Sequence, residues 1–188
     1  KDFHPMNAFA VEFIVDSGTL SILSADDAGN VHVFEYRRDL IEAWKGQKLM
    51  LRTSCNVGSK VTQMVRTKVA DGVMGKMRYA AMHGSVDGAL GIVAPVSESA
   101  HKALAELQVR LERDVAFTGG MRPSSFRTLR HERGLKVRPS PTHVALDADL
   151  LRLYHHLPWS TQGKVAGELG RLGTRALLRE LEELVDVL

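Results

Sequence analysis

Eight histidines are the most numerous candidates in this chain for metal binding or proton transfer. His155 and His156 are adjacent in a predicted helix, so their side chains diverge by about 100° and cannot bind one ion together. Four others have no cysteine or carboxylate at the spacing of a metal site: His83, His101, His131 and His143. The sequence therefore predicts surface or singly hydrogen-bonded histidines.

Asp147, Asp149 and Cys55 are the remaining residues whose types could carry chemistry. The two aspartates lie at the start of a predicted helix, where capping and compensation of the helix dipole account for both. Cys55 is the only cysteine, which excludes an internal disulfide and a multi-cysteine zinc site and suits a reducing compartment. No serine-hydrolase, Walker or dinucleotide motif occurs. We therefore predict no enzyme, no cofactor and no metal.

A basic run is the strongest local departure from neutrality. Six basic residues face a single acid, Glu132, within positions 122–138: Arg122, Arg127, Arg130, Arg133, Lys136 and Arg138. Such an excess can bind RNA phosphates, pair with an acidic patch on a protein partner, or remain solvated or paired within the chain. Only Phe126 is aromatic here, so a base-stacking platform is not expected. The six residues are candidate partner or RNA contacts.

The bulk composition is that of an ordinary globular protein. The chain has 188 residues, 44% hydrophobic and 25% charged, with a formal net charge of +3. A net charge this small does not by itself indicate nucleic-acid binding. No apolar run approaches the roughly 18 residues of a membrane span. Because the chain opens at Lys1 with what resembles mid-protein sequence, it is expected to be a fragment.

The first half, residues 1–96, is predicted to be β-structure. Short β-branched and aromatic runs alternate with Gly, Asn and Asp turns. Seven antiparallel strands are predicted over 8–15, 20–24, 31–36, 49–56, 60–67, 76–83 and 90–94. Strands spaced this evenly are typical of a propeller or a sandwich. If they are propeller blades, the remaining blades must come from outside this chain; a small sandwich is the alternative.

The second half, residues 97–188, is predicted to be helical. Ser97 is a good N-cap for a helix that Gly119-Gly120 should end. Pro123 should begin a short helix ended by Gly134, with Phe126 and Leu129 as its apolar face. Further helices are predicted over 148–157, capped by Asp147, then from a cap at Ser160 to an end at Gly170, and finally from a cap at Thr174.

Four blocks resemble the CPSF A family of triple-propeller scaffolds. The first contains an Asp-x-x-x-Asn turn, the second an Asn-Val-Gly pattern, the third an Asp-Gly strand leading into a long helix, and the fourth an Asp-x-Asp-Leu-Leu-x-x-Tyr helix. They are AFAVEFIVDSGTLSILSADDAGNVHVFEY (8–36), KLMLRTSCNVGSKVTQMVRT (48–67), HGSVDGALGIVAPVSESAHKALAELQVRL (83–111) and GGMRPSSFRTLRHERGLKVRPSPTHVALDADLLRLYHHL (119–157). The likeness is strongest to the polyadenylation branch.

The resemblance implies a fold and a role. Residues 1–96 would be the last blades of a seven-bladed-type β-propeller, and residues 97–188 a small helical C-terminal domain. Such a chain would be a non-enzymatic nuclear scaffold for pre-mRNA 3′-end cleavage and polyadenylation. Its implied partners are a WD-repeat subunit and a zinc-finger subunit that recognise the AAUAAA signal. A splicing-factor scaffold, a ubiquitin-ligase adaptor, or direct RNA-backbone binding through positions 122–138 remain the alternatives.

Overall fold

The structure, a computed structural model, describes residues 6–16, 18–70, 77–115, 117–130, 143–168 and 181–182. The chain divides into two compact units. The sheet unit comprises residues 1–68, 78–95 and 126–145, and the helical unit comprises residues 69–77, 96–125 and 146–188. Segment 126–145 thus groups with the sheets, although it follows the first helix in sequence. The assignment of 1–96 and 97–188 as separate domains stays a prediction.

The sheet unit contains two antiparallel sheets. The first has four strands in sequence order and the second has three. The seven strands are β1 (Ala8–Asp16), β2 (Thr19–Asp26), β3 (Asn30–Glu35), β4 (Met50–Asn56), β5 (Val61–Ala70), β6 (Met77–Ser85) and β7 (Leu90–Val93). All seven predicted strands are therefore present, and the predicted combination of antiparallel β-structure with helices is confirmed.

Alternation along the strands builds one apolar core from both sheets. Ala10 and Ile14 of β1 are buried while the residues on either side of each are exposed, because successive side chains of a strand point to opposite faces. The buried members of this core are Ala10, Ile14, Leu23, Ala25, Val31, Val61, Met64 and Ala81. The first five belong to the four-stranded sheet and the last three to the other. The two sheets are thus held together by one shared apolar core.

A short helical turn, Ile41–Gly46, lies between β3 and β4. The sequence predicts a polar loop or a brief helical turn over 37–47, and the helical turn is the one observed. Ala43, within this turn, is fully buried. Trp44 and Lys45 have φ angles of 49° and 58°, a left-handed conformation that non-glycine residues seldom adopt.

Four α-helices are described. They are α1 (Glu98–Asp114), α2 (Pro123–Arg127), α3 (Ala148–His156) and α4 (Trp159–Glu168). Two of the predicted N-caps are confirmed: Ser97 Oγ accepts a hydrogen bond from the Ala100 amide, and Asp147 accepts from the first turn of α3. Capping side chains satisfy amides that have no partner within the helix.

Three sequence expectations about helix boundaries are wrong. Helix α2 ends at Arg127, although Gly134 is the predicted end of the helix that begins at Pro123. Helix α1 ends at Asp114, before Gly119-Gly120, because Val115 adopts an extended conformation and packs with Phe117 against the helical core. The two glycines lie instead in a separate short turn, Thr118–Gly120. Helix α4 begins at Trp159, so Ser160 is not its cap; the Pro158 carbonyl accepts from the Thr161 and Gln162 amides.

The helical unit has its own core. Its buried members come from α1, α3, α4 and Leu181, and they are Ala100, Leu104, Leu107, Leu111, Leu150, Leu151, Tyr154, Val165, Ala166 and Leu181. Residues at three- and four-residue spacings share one face of a helix, which explains the stripe along α1. Most of the predicted final helix lies outside the described residues. The described helices include none that is both long and apolar enough to cross a bilayer.

Candidate functional site

The basic run is divided between the two units. Arg122 is exposed and belongs to the helical unit, whereas half-buried Arg127 and exposed Arg130 belong to the sheet unit. Phe126 is exposed, so the expected apolar face of α2 is wrong at this residue. A helix of only five residues is too short to bury a complete stripe. Three candidates lie outside the described residues: Arg133, Lys136 and Arg138.

Arg130 is held by its backbone rather than by its side chain. The Asn30 Nδ2 donates to the Arg130 carbonyl oxygen at 2.7 Å, and the Arg130 amide donates to Asn30 Oδ1 at 2.9 Å. The same pair of bonds joins opposite residues of two antiparallel strands. The Asn30 side chain therefore makes with Arg130 the two hydrogen bonds that a residue on a neighbouring strand would make. Because both bonds go to the backbone, they do not depend on which side chain stands at position 130.

Asp26 and Asn56 orient the amide of Asn30. Its Nδ2 also donates to Asp26 Oδ2 at 2.8 Å, and its Oδ1 also accepts from Asn56 Nδ2 at 3.0 Å. With Arg130, these contacts use both donors and both lone pairs of the Asn30 side chain. Asn30 is only 3% exposed and Asn56 is fully buried. A buried polar side chain with all its hydrogen bonds made has one preferred orientation.

The Asp26 carboxylate is also heavily hydrogen-bonded. Its Oδ1 accepts from the backbone amides of Ala28 and Asn30, and its Oδ2 lies 3.3 Å from His32 Nε2. Burial raises the pKa of Asp26, but the hydrogen bonds from His32 and Asn30 outweigh it and hold the pKa below its ordinary value. The carboxylate is therefore ionised at neutral pH.

Two turns interlock beside the network. The Val57 amide donates to the Gly29 carbonyl oxygen at 2.9 Å. Gly29 has a φ of +79°, and a Cβ added there would lie 2.8 Å from the Ser59 carbonyl oxygen. Only glycine meets both conditions without strain. This close approach fixes the β2–β3 turn, which carries Asn30, against the residues that follow β4.

A second backbone hydrogen bond joins residue 143 to strand β4. The His143 amide donates to the Arg52 carbonyl oxygen on β4 at 2.8 Å. On the same strand pair, buried Glu35 accepts from both Arg37 and Arg52. Asp39 is bonded to Arg37, which lowers the pKa of that exposed carboxyl to about 2. The backbones of Arg130 and His143 are thus hydrogen-bonded to residues of the first sheet.

Chemical groupings expected of an enzyme are sparse in the part of the chain that the structure describes. Within those residues, no three His, Cys, Asp or Glu side chains come together as a metal site. His83 is half-buried against Gly91, and burial lowers its pKa, so the ring is neutral at pH 7. Cys55 is half-buried in β4 opposite Val31. The best-built polar site is therefore the one around Asn30.

Reasoning from the sequence missed this site, although its signal was present. The Asp-x-x-x-Asn spacing at Asp26 and Asn30 was interpreted as a turn. In such a turn the aspartate carboxylate accepts hydrogen bonds from backbone amides that follow it, as Asp26 does from Ala28 and Asn30. The contact of Asn30 with Arg130, in contrast, joins two residues that are 100 positions apart in sequence. No local pattern could have predicted that contact.

Comparison with known proteins identifies the class to which this mixed β and α chain belongs. The sequence profile described as "CPSF A subunit region" matches residues 1–156. The chain is a member of that family.

Several relatives are named as subunits of one processing factor. The chain is 35% identical to the rice "Probable cleavage and polyadenylation specificity factor subunit 1" over 94% of its length, and 35% identical to the Arabidopsis thaliana "Cleavage and polyadenylation specificity factor subunit 1" over all of it. The Schizosaccharomyces pombe "Protein cft1" is 23% identical over the whole chain. The chain spans only 12% and 13% of the two plant relatives.

Proposed function

We propose that this chain is a segment of a non-enzymatic scaffold in the nuclear pre-mRNA 3′-end cleavage and polyadenylation machinery. The observation that carries the proposal is the 35% identity, along the whole chain, to a plant subunit named for that factor. The names of these relatives favour polyadenylation over the splicing and ubiquitin-ligase alternatives. The scaffold acts by positioning subunits that recognise the AAUAAA signal, and it makes or breaks no bond.

The exposed face of β1 supports the propeller part of the proposal. Phe9, Val11, Phe13 and Val15 are each between 47% and 51% exposed, whereas the intervening Ala10 and Ile14 are buried in the core. An apolar stripe of this kind along an edge strand requires a cover. In a propeller the face of the preceding blade covers it. We therefore propose that the two sheets are neighbouring blades and that further blades lie in the same polypeptide.

Two partner classes complete the scaffold proposal: a WD-repeat subunit and a zinc-finger subunit. Both enter through the family resemblance, and both are testable in the full-length polypeptide. Affinity purification should recover the two subunits in stoichiometric amounts. Depletion of the polypeptide should abolish cleavage and polyadenylation of an AAUAAA substrate in nuclear extract, and the wild-type polypeptide should restore it. Recovery of neither subunit, or unchanged processing after depletion, would sink the proposal.

The basic run is proposed as a contact surface of this scaffold. Arg130 is exposed, and its backbone is fixed by Asn30. An exposed cation on an anchored backbone loses little conformational freedom on binding an anion. The anion is either a carboxylate of a partner subunit or an RNA phosphate.

Charge reversal separates these two sources of anion. The variant Arg127→Glu/Arg130→Glu/Arg133→Glu is compared with Arg152→Glu, which reverses a single exposed charge on α3. A direct RNA contact predicts weaker RNA binding and a smaller salt dependence of that binding in the triple variant. A protein contact predicts loss of a subunit with unchanged RNA affinity. If neither quantity changes, the run is not a contact surface.

A further inference from the structure

The short helical turn Ile41–Gly46 presents two large apolar side chains to solvent. Ile41 is 93% exposed and Trp44 is 58% exposed. The residue between them that is fully buried, Ala43, roots the turn in the sheet unit. Isolated exposed apolar residues are common, but a paired Ile and Trp on one turn form a compact projecting surface.

The backbone of this turn is strained in a way that its sequence does not favour. Trp44, Lys45 and Gly46 have φ angles of 49°, 58° and 88°, so three successive residues are left-handed. Only the last is a glycine, and for the others this conformation costs free energy. Strain of this kind persists where the surroundings impose it, and it is concentrated at functional positions.

Neighbouring contacts hold the turn in this conformation. The Lys48 amide donates to the Ala43 carbonyl oxygen at 3.1 Å, and the Gln47 amide donates to that of Trp44 at 3.2 Å. Gly46 packs so closely on Tyr36 that a Cβ would lie 2.9 Å from the tyrosine Oη. The turn is therefore a preorganised platform, and presenting its side chains to a partner requires no further ordering.

The charges around the turn select the chemistry of the partner. Arg37 is bonded to Asp39 and Glu35, so these three charges are largely satisfied within the chain. Arg38, Lys45 and Lys48 remain against Glu42 in the rest of positions 37–48. The residues that adjoin the apolar pair in sequence therefore carry a net positive charge, and a complementary surface would carry carboxylates.

We propose that Ile41 and Trp44 dock into an apolar pocket, rimmed by carboxylates, on a different protein of the assembly in which this chain acts. Trp is enriched among the residues that dominate binding energy at protein interfaces. Nucleic acid is the weaker occupant, because Ile41 offers no aromatic face for base stacking. The proposal rests on the assembly part of the proposed function and is independent of the pathway.

Photo-crosslinking identifies what the turn touches. A photoreactive phenylalanine analogue replaces Ile41 in the full-length polypeptide, within the purified assembly. The expected result is a crosslink to one defined subunit other than this polypeptide. A crosslink confined to the same polypeptide, a crosslink to RNA, or no crosslink would overturn the proposal. The readout does not depend on processing activity, so it can fail while the proposed function stands.

Affinity for that crosslinked subunit gives the second arm. The variant Ile41→Ser/Trp44→Ser should raise its dissociation constant at least tenfold, which corresponds to about 1.4 kcal/mol. Val86→Ser is the matched control, since Val86 is 67% exposed in the same unit. Trp44→Phe in the otherwise native chain should retain most of the affinity. A change below tenfold in the double variant, or an equal change in the control, contradicts the proposal.

Discussion

Asn30 grips the backbone of Arg130 from 100 residues away, with both polar atoms of its amide group bonded to the same residue. The helix α1 lies between these two positions in sequence. The contact therefore ties a segment that follows the first helix to the first sheet. It is made between a buried side chain and a main chain, so it fixes the position of residue 130 without constraining its side chain.

Replacing Asn30 should loosen this segment. Asn30→Ala removes four hydrogen bonds and leaves the Asp26 carboxylate with fewer donors, so we expect a loss of about 2–4 kcal/mol in the free energy of unfolding. Urea titration measures the loss, and amide hydrogen exchange should show faster exchange at Arg130. Asn7→Ala removes one exposed hydrogen bond, to Asp27, and should change stability by less than about 0.5 kcal/mol. Equal effects of the two variants would refute the network.

Gly29 and Gly18 form a matched pair for the turn interlock. Their φ angles are +79° and +80°, but only Gly29 has backbone atoms in the space of a Cβ. Gly18→Ala should cost about 1 kcal/mol for the left-handed conformation alone. Gly29→Ala should cost at least about 2 kcal/mol more, because the two turns must separate. Thermal unfolding of the two variants tests this difference, and similar costs would show that the turns can yield.

The Asp26 carboxylate should make stability dependent on acid pH. Its pKa in the folded chain lies below the ordinary value of 3.8, since the His32 and Asn30 hydrogen bonds outweigh burial. The ionised form therefore stabilises the folded chain above about pH 4, and this contribution is lost as the pH falls through the lower, folded-state pKa. Asp26→Asn should be less stable than wild type at pH 7, and the gap should narrow below pH 4. A gap that is constant from pH 7 to pH 2 would contradict this.

Tyr154 and Gln162 link α3 to α4 reciprocally. Tyr154 Oη donates to the Gln162 carbonyl oxygen at 3.2 Å, and Gln162 Nε2 donates to that of Tyr154 at 2.9 Å. Tyr154→Phe should cost about 1 kcal/mol, and Tyr154→Ala about 3–5 kcal/mol because the ring is fully buried. Chemical denaturation gives both values. Trp159→Ala, at an exposed aromatic residue of α4, should be nearly neutral.

Local patterns predicted most of the fold. The strands follow from two-residue alternation between Gly and Asn turns, and Ser97 and Asp147 were recognisable as caps because a cap depends on its immediate neighbours. The end of α1 was missed because Val115 leaves the helical conformation and packs, with Phe117, against the helical core. This tertiary effect ends the helix before Gly119-Gly120, the end that the residue types predict.

The candidate site was predictable only in part. The excess of positive charge over 122–138 is visible in composition, and the structure describes three of its six members. Asn30 decides which of these basic residues is anchored. It lies on β3, far from them in sequence, so no periodic pattern connects Asn30 with Arg130. The strained turn at Trp44 was equally hidden, since nothing in the residue types of that turn favours left-handed backbone there.

The exposed stripe of β1 also has a consequence for how cells handle this protein. A copy in which Phe9, Val11, Phe13 and Val15 stay uncovered displays a short apolar strand of the kind that chaperones retain and proteases remove. The strand must then be covered for the protein to escape degradation, as well as for it to fold. The amount of the protein in the cell is expected to follow the success of its assembly, with surplus copies cleared rather than stored.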